Sequence, residues 1–403
     1  MKRSKMGAIA LVAICLILLP PRKAPDSVEQ MRLENSLPFD TGILFKSKGP
    51  GVREVGFDIL DDIKRGQEFL RDKTAGSTVV REEKRVTFLD RKRRKRERLV
   101  LEQVVKPNFL LAVEDLRERR IRSVRFTDKG CVTAGFEVRK IRENGVGSRF
   151  EVKYPDNMAI LALRTTVRSG RNTFKEVVYT PYSSEIDTSS VRKAGFDYLL
   201  RQIELARKDL KARKVRLTGF EGLAADDMPT HVALALSVIE HIDPTRFNNC
   251  QKGREIALVR EVLTIIGANT SNAYAYSKSP AGARGLFQLI PDTYRSLQKK
   301  YPRSGLKENF VSGCTDHINA AKASLLLFDS DLADLPRERL HALGKNSRAV
   351  GRYLAAAYNC GSRRVDKSTR ACRNEWTCHL PEETKTYLRK FDVVWALSKS
   401  LDE

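Results

Sequence analysis

The chain has 403 residues, of which 74 are lysine or arginine and 50 are aspartate or glutamate, so 74 − 50 gives a formal net charge of +24. This length excludes a single small module and suits two domains, or one domain with a substantial appendage. The hydrophobic fraction of 41% can bury a core, which excludes a chain that is disordered throughout. The positive charge predicts attraction to nucleic acid, anionic lipid or cell-wall polymers, and it does not choose among them.

The N-terminus predicts export. Three basic residues among the first five precede an apolar run over residues 6–19, which two prolines end. A basic segment followed by a short apolar segment is typical of a signal sequence. Residues 1–21 are therefore predicted to be a signal peptide or an uncleaved signal anchor, with the rest of the chain in the periplasm or held at the inner membrane. The alternative is an apolar N-terminal helix of a cytosolic protein. Export makes nucleic acid an unexpected partner.

Cysteine usage agrees with export. Six of the seven cysteines lie outside residues 1–21, and an even number suits disulfides in an oxidising compartment. We expect at least two disulfides, with Cys372–Cys378 as the local pair and Cys250–Cys314 as a second. The alternative is a metal site, although a CxxC pair is missing at either end. Such a site would use Cys360, Cys372, Cys378 and His379.

Residues 22–120 are predicted to contain a linker, an amphipathic helix and a basic segment. Apolar residues recur at near-helical spacing between Phe57 and Phe69. The segment from Arg91 to Arg98 then holds seven basic residues in eight. Runs of this kind are usually solvated faces. The alternative is contact with anionic lipid headgroups or wall polymers.

Residues 121–215 are predicted to be a β-rich accessory region that ends in a helix. Between Ile121 and Tyr179 the apolar period changes to two, and turn residues such as the Asn144-Gly145 pair separate the short runs. Residues 191–211 then follow the pattern of a charged amphipathic helix. No catalytic constellation lies within this region. We expect it to fold independently of the remaining chain.

Helical patterns dominate residues 216–403, with loops between the helices where a site could lie. The predicted helices cover residues 231–242, 255–266, 292–300, 317–329, 347–358 and 382–397. The fold class is therefore α+β. A mostly helical C-terminal domain follows a smaller β-containing accessory domain.

Three segments of the helical region carry small, amide and phenol side chains. They are residues 279–288 (SPAGARGLFQ), 355–361 (AAAYNCG) and 380–387 (LPEETKTY). Small residues allow the backbone to approach a sugar ring. The side chain of Gln288 offers both a donor and an acceptor to hydroxyl or acetamido groups. The alternative is a tight connection between helices with a buried tyrosine hydrogen bond.

In this order the three segments resemble the lytic transglycosylase family, which has a lysozyme-like fold, over about 150 of the 403 residues. The resemblance implies peptidoglycan glycan strands as substrate and calls for neither a metal nor an organic cofactor. It also implies that Tyr358 and Asn359 support the catalytic acid. The substrate-binding residues that it implies are Ser279, Gly285, Leu286, Phe287, Gln288, Tyr358, Asn359 and Glu383.

The catalytic acid is missing from its expected position. The family places a glutamate about 18 residues before the glutamine, where this chain has Thr270 followed by Ser271. The upstream candidate is Glu240, and 288 − 240 gives a separation of 48 residues. This separation implies an insertion of about 30 residues that holds the helix predicted over 255–266.

Glu240 has the character of a general acid. It continues the apolar stripe of Val232 and Leu236 at helical spacing, and it lies in the last turn of its helix, where the helix dipole disfavours an anion. Burial and dipole both raise a carboxyl pKa, as a proton donor at neutral pH requires. The alternative is a surface glutamate near a helix end. The competing candidates are His241, Asp243 and Glu261.

The resemblance implies cleavage of the β-1,4 bond between N-acetylmuramic acid and N-acetylglucosamine, with formation of a 1,6-anhydro ring. A hydrolytic muramidase would use water in place of the C6 hydroxyl. A non-catalytic wall-binding protein would keep the sugar groove and lack the acid.

Overall fold

A computed structural model describes residues 59–89, 93–168, 173–218, 221–343, 347–372 and 376–396. The predicted signal at residues 1–21, the linker that follows it, and Arg91 and Lys92 of the basic segment lie outside these ranges. Within them, no helix is both long enough and apolar enough to cross a membrane.

The predicted α+β class is confirmed, with strands in the N-terminal part and mostly helices in the C-terminal part. The strands are β1 Ser77–Leu89, β2 Lys95–Pro107, β3 Phe109–Asp115, β4 Arg120–Thr127, β5 Gly130–Cys131, β6 Glu137–Arg142, β7 Arg149–Tyr154, β8 Met158–Arg168 and β9 Phe174–Tyr179. The helices are α1 Ile59–Arg71, α2 Ser189–Ala212, α3 Ala224–Asp227, α4 Thr230–Ile239, α5 Pro244–Asn248, α6 Ile256–Asn269, α7 Pro291–Lys300, α8 Phe310–Thr315, α9 His317–Ala333, α10 Arg337–Leu343, α11 Ser347–Cys360, α12 Ser362–Ala371 and α13 Glu382–Ala396.

An antiparallel sheet in the order β5-β4-β3-β8-β9 forms the centre of the N-terminal part. Strand β3 is buried along almost its whole length, because helix α1 covers one face of the sheet and the β6–β7 hairpin covers the other. On the hairpin face, Phe150 packs edge-to-face against Phe109 and Phe126. The sheet therefore has a small core of its own.

Strands begin earlier in the chain than the sequence pattern indicates. The apolar alternation predicts strands from Ile121 onward, but β1 begins at Ser77. Strands β1 and β2 pair only with each other, from Ser77↔Pro107 to Leu89↔Lys95, and they form a separate two-stranded ribbon. Within the described part of the chain, most residues of the ribbon are exposed, so its sequence lacks the regular alternation of apolar and polar residues that a half-buried strand shows.

One hydrophobic core joins the helices of the C-terminal part. Helix α4 lies at its centre, with nine of its ten residues buried, and α2, α6, α9, α11 and α13 surround it. Because α4 is apolar on every side, its sequence is typical of a helix that lies inside a bundle.

Helix α2 belongs to this helical core, through buried residues such as Leu199 and Ile203. It crosses α6 at close range. A Cβ atom on Gly195 would lie 2.1 Å from the Leu263 carbonyl oxygen, and one on Gly267 would lie 2.0 Å from the Val191 oxygen. The predicted division between residues 215 and 216 assigns α2 to the accessory region, whereas its packing favours a division before α2. Independent folding of residues 216–403 stays a prediction.

The predicted Cys372–Cys378 disulfide is present. The prediction of a Cys250–Cys314 disulfide is wrong, because all other cysteines of the described residues are free. The expectation of at least two disulfides is wrong for the same reason. The even cysteine count indicates a capacity for pairing, whereas a disulfide also requires two sulfur atoms in contact. Cys372, Cys378 and His379 lie close enough to share a metal ion, but two of the three ligand atoms are bonded to each other.

Candidate active site

Glu240 lies at the C-terminal end of α4, immediately after the buried run of that helix. The residue as a whole has intermediate exposure, and its Oε1 accepts a hydrogen bond of 2.7 Å from the Tyr387 hydroxyl. Burial raises the pKa of Glu240 to about 7, although Tyr387 and the charge of Lys390 lower it. A carboxyl with this pKa is about half protonated at neutral pH, so it can both give and take a proton.

Helix α13 supplies the two groups that moderate this pKa. Burial and the charge of Glu240 raise the pKa of Tyr387 well above its ordinary value, so the phenol stays a neutral donor. Three residues further along the same helix face, Lys390 donates a 2.6 Å hydrogen bond to the Ile242 carbonyl, just beyond Glu240. Burial lowers the pKa of Lys390. Helix α13 therefore places a neutral hydroxyl, from Tyr387, and a positive charge, from Lys390, beside the Glu240 carboxyl group.

The segment rich in small residues forms a compact loop, residues 277–289, before α7. Gly282, Gly285 and Gln288 all have positive φ, at 85°, 73° and 45°, a region that glycine adopts at little cost and glutamine rarely adopts. A Cβ atom on Gly285 would lie only 2.0 Å from the Cys314 carbonyl oxygen. Because Gly285 has no side chain, the loop can pack directly against the backbone at Cys314. The sequence pattern instead predicts that the small residue lets the loop approach a sugar ring.

Two side chains hold consecutive carbonyl groups of this loop. The Nε2 of His241 donates to the Leu286 carbonyl at 2.9 Å, and the Tyr358 hydroxyl donates to the Phe287 carbonyl at 2.6 Å. Since a carbonyl only accepts, the His241 ring must carry its proton on Nε2. These bonds attach the loop to the residue after Glu240 and to helix α11.

The His241 ring is stacked on Tyr274, with 3.5 Å between the ring centroids. Burial lowers its pKa to about 3, so it is a neutral donor throughout the physiological range. Sequence alone offered His241 as a competing acid. Its environment makes it a positioning residue, because a neutral imidazole whose N–H is engaged by a carbonyl has no proton to give.

The predicted site residues occupy different places around Glu240. Leu286 and Phe287 differ from the expectation, since their side chains are buried in the helical core and only their carbonyl groups face this site. Asn359 accepts a 2.7 Å hydrogen bond from Thr384 and so joins α11 to α13. Glu383 is exposed, and its charge adds to the rise in the pKa of Glu240.

Gln288 and Ser279 make bonds within the loop. Gln288 donates through Nε2 to the Ser277 hydroxyl at 2.9 Å and to the Gly285 carbonyl at 2.7 Å. Ser279 accepts a 3.0 Å bond from the Ala283 amide. Both of the Gln288 bonds use the amide nitrogen, so we expect its amide oxygen to be the atom that meets a sugar hydroxyl.

The competing carboxylates are engaged elsewhere. Glu261 accepts two 2.8 Å bonds from Arg246 and a further bond from Arg149 of strand β7. Asp243 caps helix α5 through the backbone amide of Arg246 and also accepts a 2.8 Å bond from Arg142 of strand β6. Burial alone would raise the pKa of Asp243, but these partners outweigh it and the pKa is lowered. Asp243 is therefore a carboxylate at neutral pH, and Glu261 is engaged by two arginines.

Sequence reasoning missed the roles of Tyr387 and Lys390. Tyr387 stands within the third motif, and Lys390 follows it by three residues, which places both on one helix face. This three-residue spacing is the sequence feature from which their shared helix face could have been predicted. The partner across the face, Glu240, lies 147 residues earlier in the chain, and no local pattern can reveal such a contact.

The C-terminal part is a mostly helical, lysozyme-like unit. Residues 251–377 match the family model of the transglycosylase SLT domain, so this part of the chain carries such a domain, consistent with the lytic transglycosylase family. Glu240 and Tyr387 lie just outside the matched residues. No curated protein matches the chain, and no solved structure matches it.

Proposed function

We propose that this chain is a peptidoglycan lytic transglycosylase that cleaves the β-1,4 bond between N-acetylmuramic acid and N-acetylglucosamine and forms a 1,6-anhydro end. The observation that carries this proposal is the carboxyl group of Glu240. Burial raises its pKa to about 7, and its Oε1 accepts a hydrogen bond from the Tyr387 hydroxyl. The matched SLT domain supports peptidoglycan as the substrate.

In the first step Glu240 acts as the general acid. Its proton passes to the glycosidic oxygen as the bond to C1 of the muramic acid breaks, so N-acetylglucosamine leaves as an alcohol. The resulting Glu240 carboxylate is stabilised by the Tyr387 hydroxyl and by the charge of Lys390, which both favour the anion. Burial disfavours the anion, so the group remains ready to take a proton again.

In the second step Glu240 acts as the general base. It takes the proton of the C6 hydroxyl, whose oxygen bonds to C1 and closes the 1,6-anhydro ring. No water is consumed, and Glu240 returns to its protonated form. A substrate-assisted route, in which the acetamido group of the sugar stabilises the positive charge at C1, needs only one carboxyl group. This fits a site in which Asp243 and Glu261 are held by arginines.

The backbone of the 277–289 loop positions the sugar. His241 and Tyr358 fix the carbonyl groups of Leu286 and Phe287, and the chain then presents Gln288. Because His241 is the residue after Glu240, its bond to the loop fixes the loop relative to the acid, and Tyr358 adds a second attachment from α11. This coupling supports the placement of the glycosidic bond between Glu240 and Gln288.

We propose that the chain acts in the periplasm or at the inner membrane. The basic and apolar N-terminus is typical of an exported protein, and the Cys372–Cys378 disulfide suits an oxidising compartment. Cell fractionation should find the chain in the periplasm or with the inner membrane. Recovery in the cytosol would contradict the proposal.

A non-catalytic peptidoglycan-binding protein is the second candidate function. It is favoured by one observation: Thr270, at the position where the family resemblance places the acid, follows the end of α6 and has no acidic group. On this reading the raised pKa of Glu240 would be a consequence of burial alone.

Mass analysis of digestion products tests the proposed function. The full chain is incubated with purified peptidoglycan, with a Glu240→Gln variant as the matched control. The lytic reaction yields ends that are lighter by one water than reducing ends, and the control should yield none. Reducing ends would identify a hydrolytic muramidase. Sedimentation with peptidoglycan in the absence of any product would establish the binding protein.

A further inference from the structure

The ribbon formed by β1 and β2 takes no part in the site described above. We propose that its far end docks the protein on the surface of an anionic phospholipid bilayer. This inference does not depend on the proposed enzymatic activity. Its grounds are the reach of the ribbon, the distribution of its charge, and the apolar side chains that it exposes.

The ribbon is long and is attached to the body at one end. Each strand has 13 residues, which spans about 43 Å at the usual rise of 3.3 Å per residue. At the base, Thr78 donates a 2.8 Å hydrogen bond to Asn108, and the Asn108 amide donates to the Gly76 carbonyl. The base is therefore fixed to the body, and the opposite end, whose residues from Arg93 to Leu99 are exposed, can meet a separate surface.

Positive charge is concentrated at the turn end. The half of the ribbon near the base, residues 77–84 and 100–107, holds three basic and three acidic residues, so its net charge is 3 − 3 = 0. Two ion pairs across the strands, Lys84–Glu102 at 2.9 Å and Lys106–Glu82 at 2.5 Å, neutralise four of these six charges.

The described residues of the other half, 85–89 and 93–99, hold six basic residues and one acidic residue, which gives 6 − 1 = +5. Its basic residues from Arg93 to Arg98 are exposed. Basic side chains near an anionic membrane each strengthen binding by about fivefold. A cluster on a projecting arm suits this contact better than the same charge spread over a globular surface, because all of it reaches the headgroups together.

Apolar side chains distinguish a bilayer from a wall polymer. Leu99 and Leu101 leave 61% and 67% of their surface exposed, and the paired Val79 and Val105 leave 60% and 49% exposed. The four lie at alternate positions, so they share one face of the ribbon. On the opposite face, Phe88 is 43% exposed, with the Arg98 guanidinium 5.6 Å from its ring centre.

Leu99, Leu101 and Phe88 lie beside the basic residues, whereas Val79 and Val105 lie near the base of the ribbon. Exposed apolar groups beside basic ones match the interface of a membrane, where the apolar groups enter the acyl boundary and the cations meet the phosphates. A polyanionic glycan or teichoic polymer would satisfy the charges alone and leave Leu99 and Leu101 in water. The exposed leucines therefore favour lipid over a wall polymer.

Hydrogen–deuterium exchange provides a local test in the full chain. An isolated two-stranded ribbon is marginally stable in water, so its amides should exchange quickly in solution. With vesicles that contain equal parts of phosphatidylglycerol and phosphatidylcholine, we expect ribbon amides to exchange at least tenfold more slowly than with pure phosphatidylcholine vesicles. Because the readout is confined to the ribbon, binding through the N-terminal apolar segment does not affect it.

Two variants and one control separate the contribution of the basic side chains to membrane binding from that of the apolar side chains. Replacing Arg93, Arg94, Lys95 and Arg96 by glutamine should abolish the protection. Replacing Leu99 and Leu101 by serine should make the remaining protection disappear as salt is raised to 0.5 M, roughly the regime in which exposed charges are screened within a few ångströms. The control removes the same number of basic residues from one face of helix α12, outside the ribbon, and should leave the protection intact. Its substitutions are Arg363→Gln, Arg364→Gln, Lys367→Gln and Arg370→Gln.

Four outcomes would overturn the proposal. They are equal exchange on both kinds of vesicle, loss of protection in the α12 control with retention in the ribbon variant, protection by peptidoglycan in place of vesicles, and lipid-free protection that grows with protein concentration. The last would indicate pairing of ribbon edges between two copies of the chain. None of these outcomes bears on the products of digestion, so the proposed activity and the docking surface can fail separately.

Discussion

Two glutamates of the helical region illustrate how surroundings assign a role to the same side chain. Glu240, at the end of α4, meets a neutral phenol and a buried environment, and its pKa rises to about 7. Glu261, in the middle of α6, meets two guanidinium groups, from Arg149 and Arg246. The first can exchange a proton at neutral pH, whereas the second is held as a carboxylate.

This contrast shows that burial alone does not define an acid. Glu261 is in fact the more buried of the two, with 8% of its surface exposed. What differs is the charge of the hydrogen-bond donors. Glu240 accepts from a neutral hydroxyl, whereas Glu261 accepts from two guanidinium cations, which favour the charged form of a carboxyl group. Arg149 comes from strand β7, so its bond to Glu261 also connects the β6–β7 hairpin to the helices.

The largest effect is expected when the two glutamates are changed to glutamine in turn. Glu240→Gln keeps the size of the side chain and removes the exchangeable proton, so lytic activity should fall by about 10³-fold or more, with folding and glycan binding retained. Glu261→Gln and Asp243→Asn should keep most activity in the folded protein. Release of anhydro products measures all three. An active Glu240→Gln protein beside an inactive Glu261→Gln protein would reverse the assignment.

Stability should respond in opposite directions at the two positions. Glu261→Gln leaves two arginines without their anion, so it should lower the free energy of unfolding by about 3 kcal/mol. The folded-state pKa of Glu240 is raised, so its contribution to stability is full at pH values below about 4.5 and is lost as the pH rises through about 7. Glu240→Gln should therefore stabilise the protein at pH 8, by about 2 kcal/mol.

Denaturant unfolding at pH 5 and pH 8 measures both effects. Destabilisation by Glu240→Gln at pH 8 would mean that the carboxylate is well solvated or paired, and would weaken its assignment as the acid.

Loss of the Tyr387 hydroxyl should lower turnover by about 10²-fold, because one donor to the developing carboxylate disappears. The same hydrogen bond lowers the pKa of Glu240, so Tyr387→Phe should also move the alkaline limb of the pH profile upward. Tyr353→Phe is the matched control, since that buried hydroxyl on α11 donates to the Asp331 carbonyl away from Glu240. Equal turnover in the two variants would make Tyr387 a structural residue.

Tyr358→Phe tests whether Tyr358 acts through the position of the loop or directly on Glu240. The Tyr358 hydroxyl holds the Phe287 carbonyl, so its loss should loosen the loop and lower turnover by about tenfold, while the alkaline limb keeps its position. A shift of that limb as large as that in Tyr387→Phe would mean that Tyr358 acts directly on Glu240.

The pH dependence of kcat/KM provides the most direct test of the acid. Deprotonation of Glu240 removes the acid, so the rate should fall tenfold per unit above about pH 7. Steady-state rates on soluble glycan fragments between pH 5 and pH 9 measure it. A rate that is constant up to pH 9 would exclude a titrating acid with this pKa.

The helical elements and the catalytic candidate followed from local patterns in the sequence. Apolar periodicity located the helices that became α2, α4, α6 and α13, because each buries a continuous stripe. The last turn of α4 indicated Glu240 through the apolar stripe that precedes it. The contacts of Glu240 with Tyr387, and of His241 with the Leu286 carbonyl, join distant parts of the chain and have no local signature.

The β ribbon and the buried loop residues escaped prediction for opposite reasons. Most residues of the ribbon are exposed in the described part of the chain, so no regular alternation of apolar and polar residues runs along its strands. Leu286 and Phe287 stand inside a motif that resembles a sugar-binding loop, yet their side chains fill the helical core. A motif identifies the segment that builds a site, and packing decides which atoms of that segment face the ligand.

The contact between Gly195 and Gly267 limits how this protein can change by insertion. Each glycine lies against a carbonyl of the opposite helix, so the two helices fit in one rotational setting. One residue added upstream within α2 would turn the following face by about 100° and bring a side chain against that backbone. Lineages should therefore accept length changes in the loops between the sheet and α2, and reject them inside α2 or α6. If the sheet were joined to a different helical unit, the helix in the place of α2 would have to come from that unit and not from this protein.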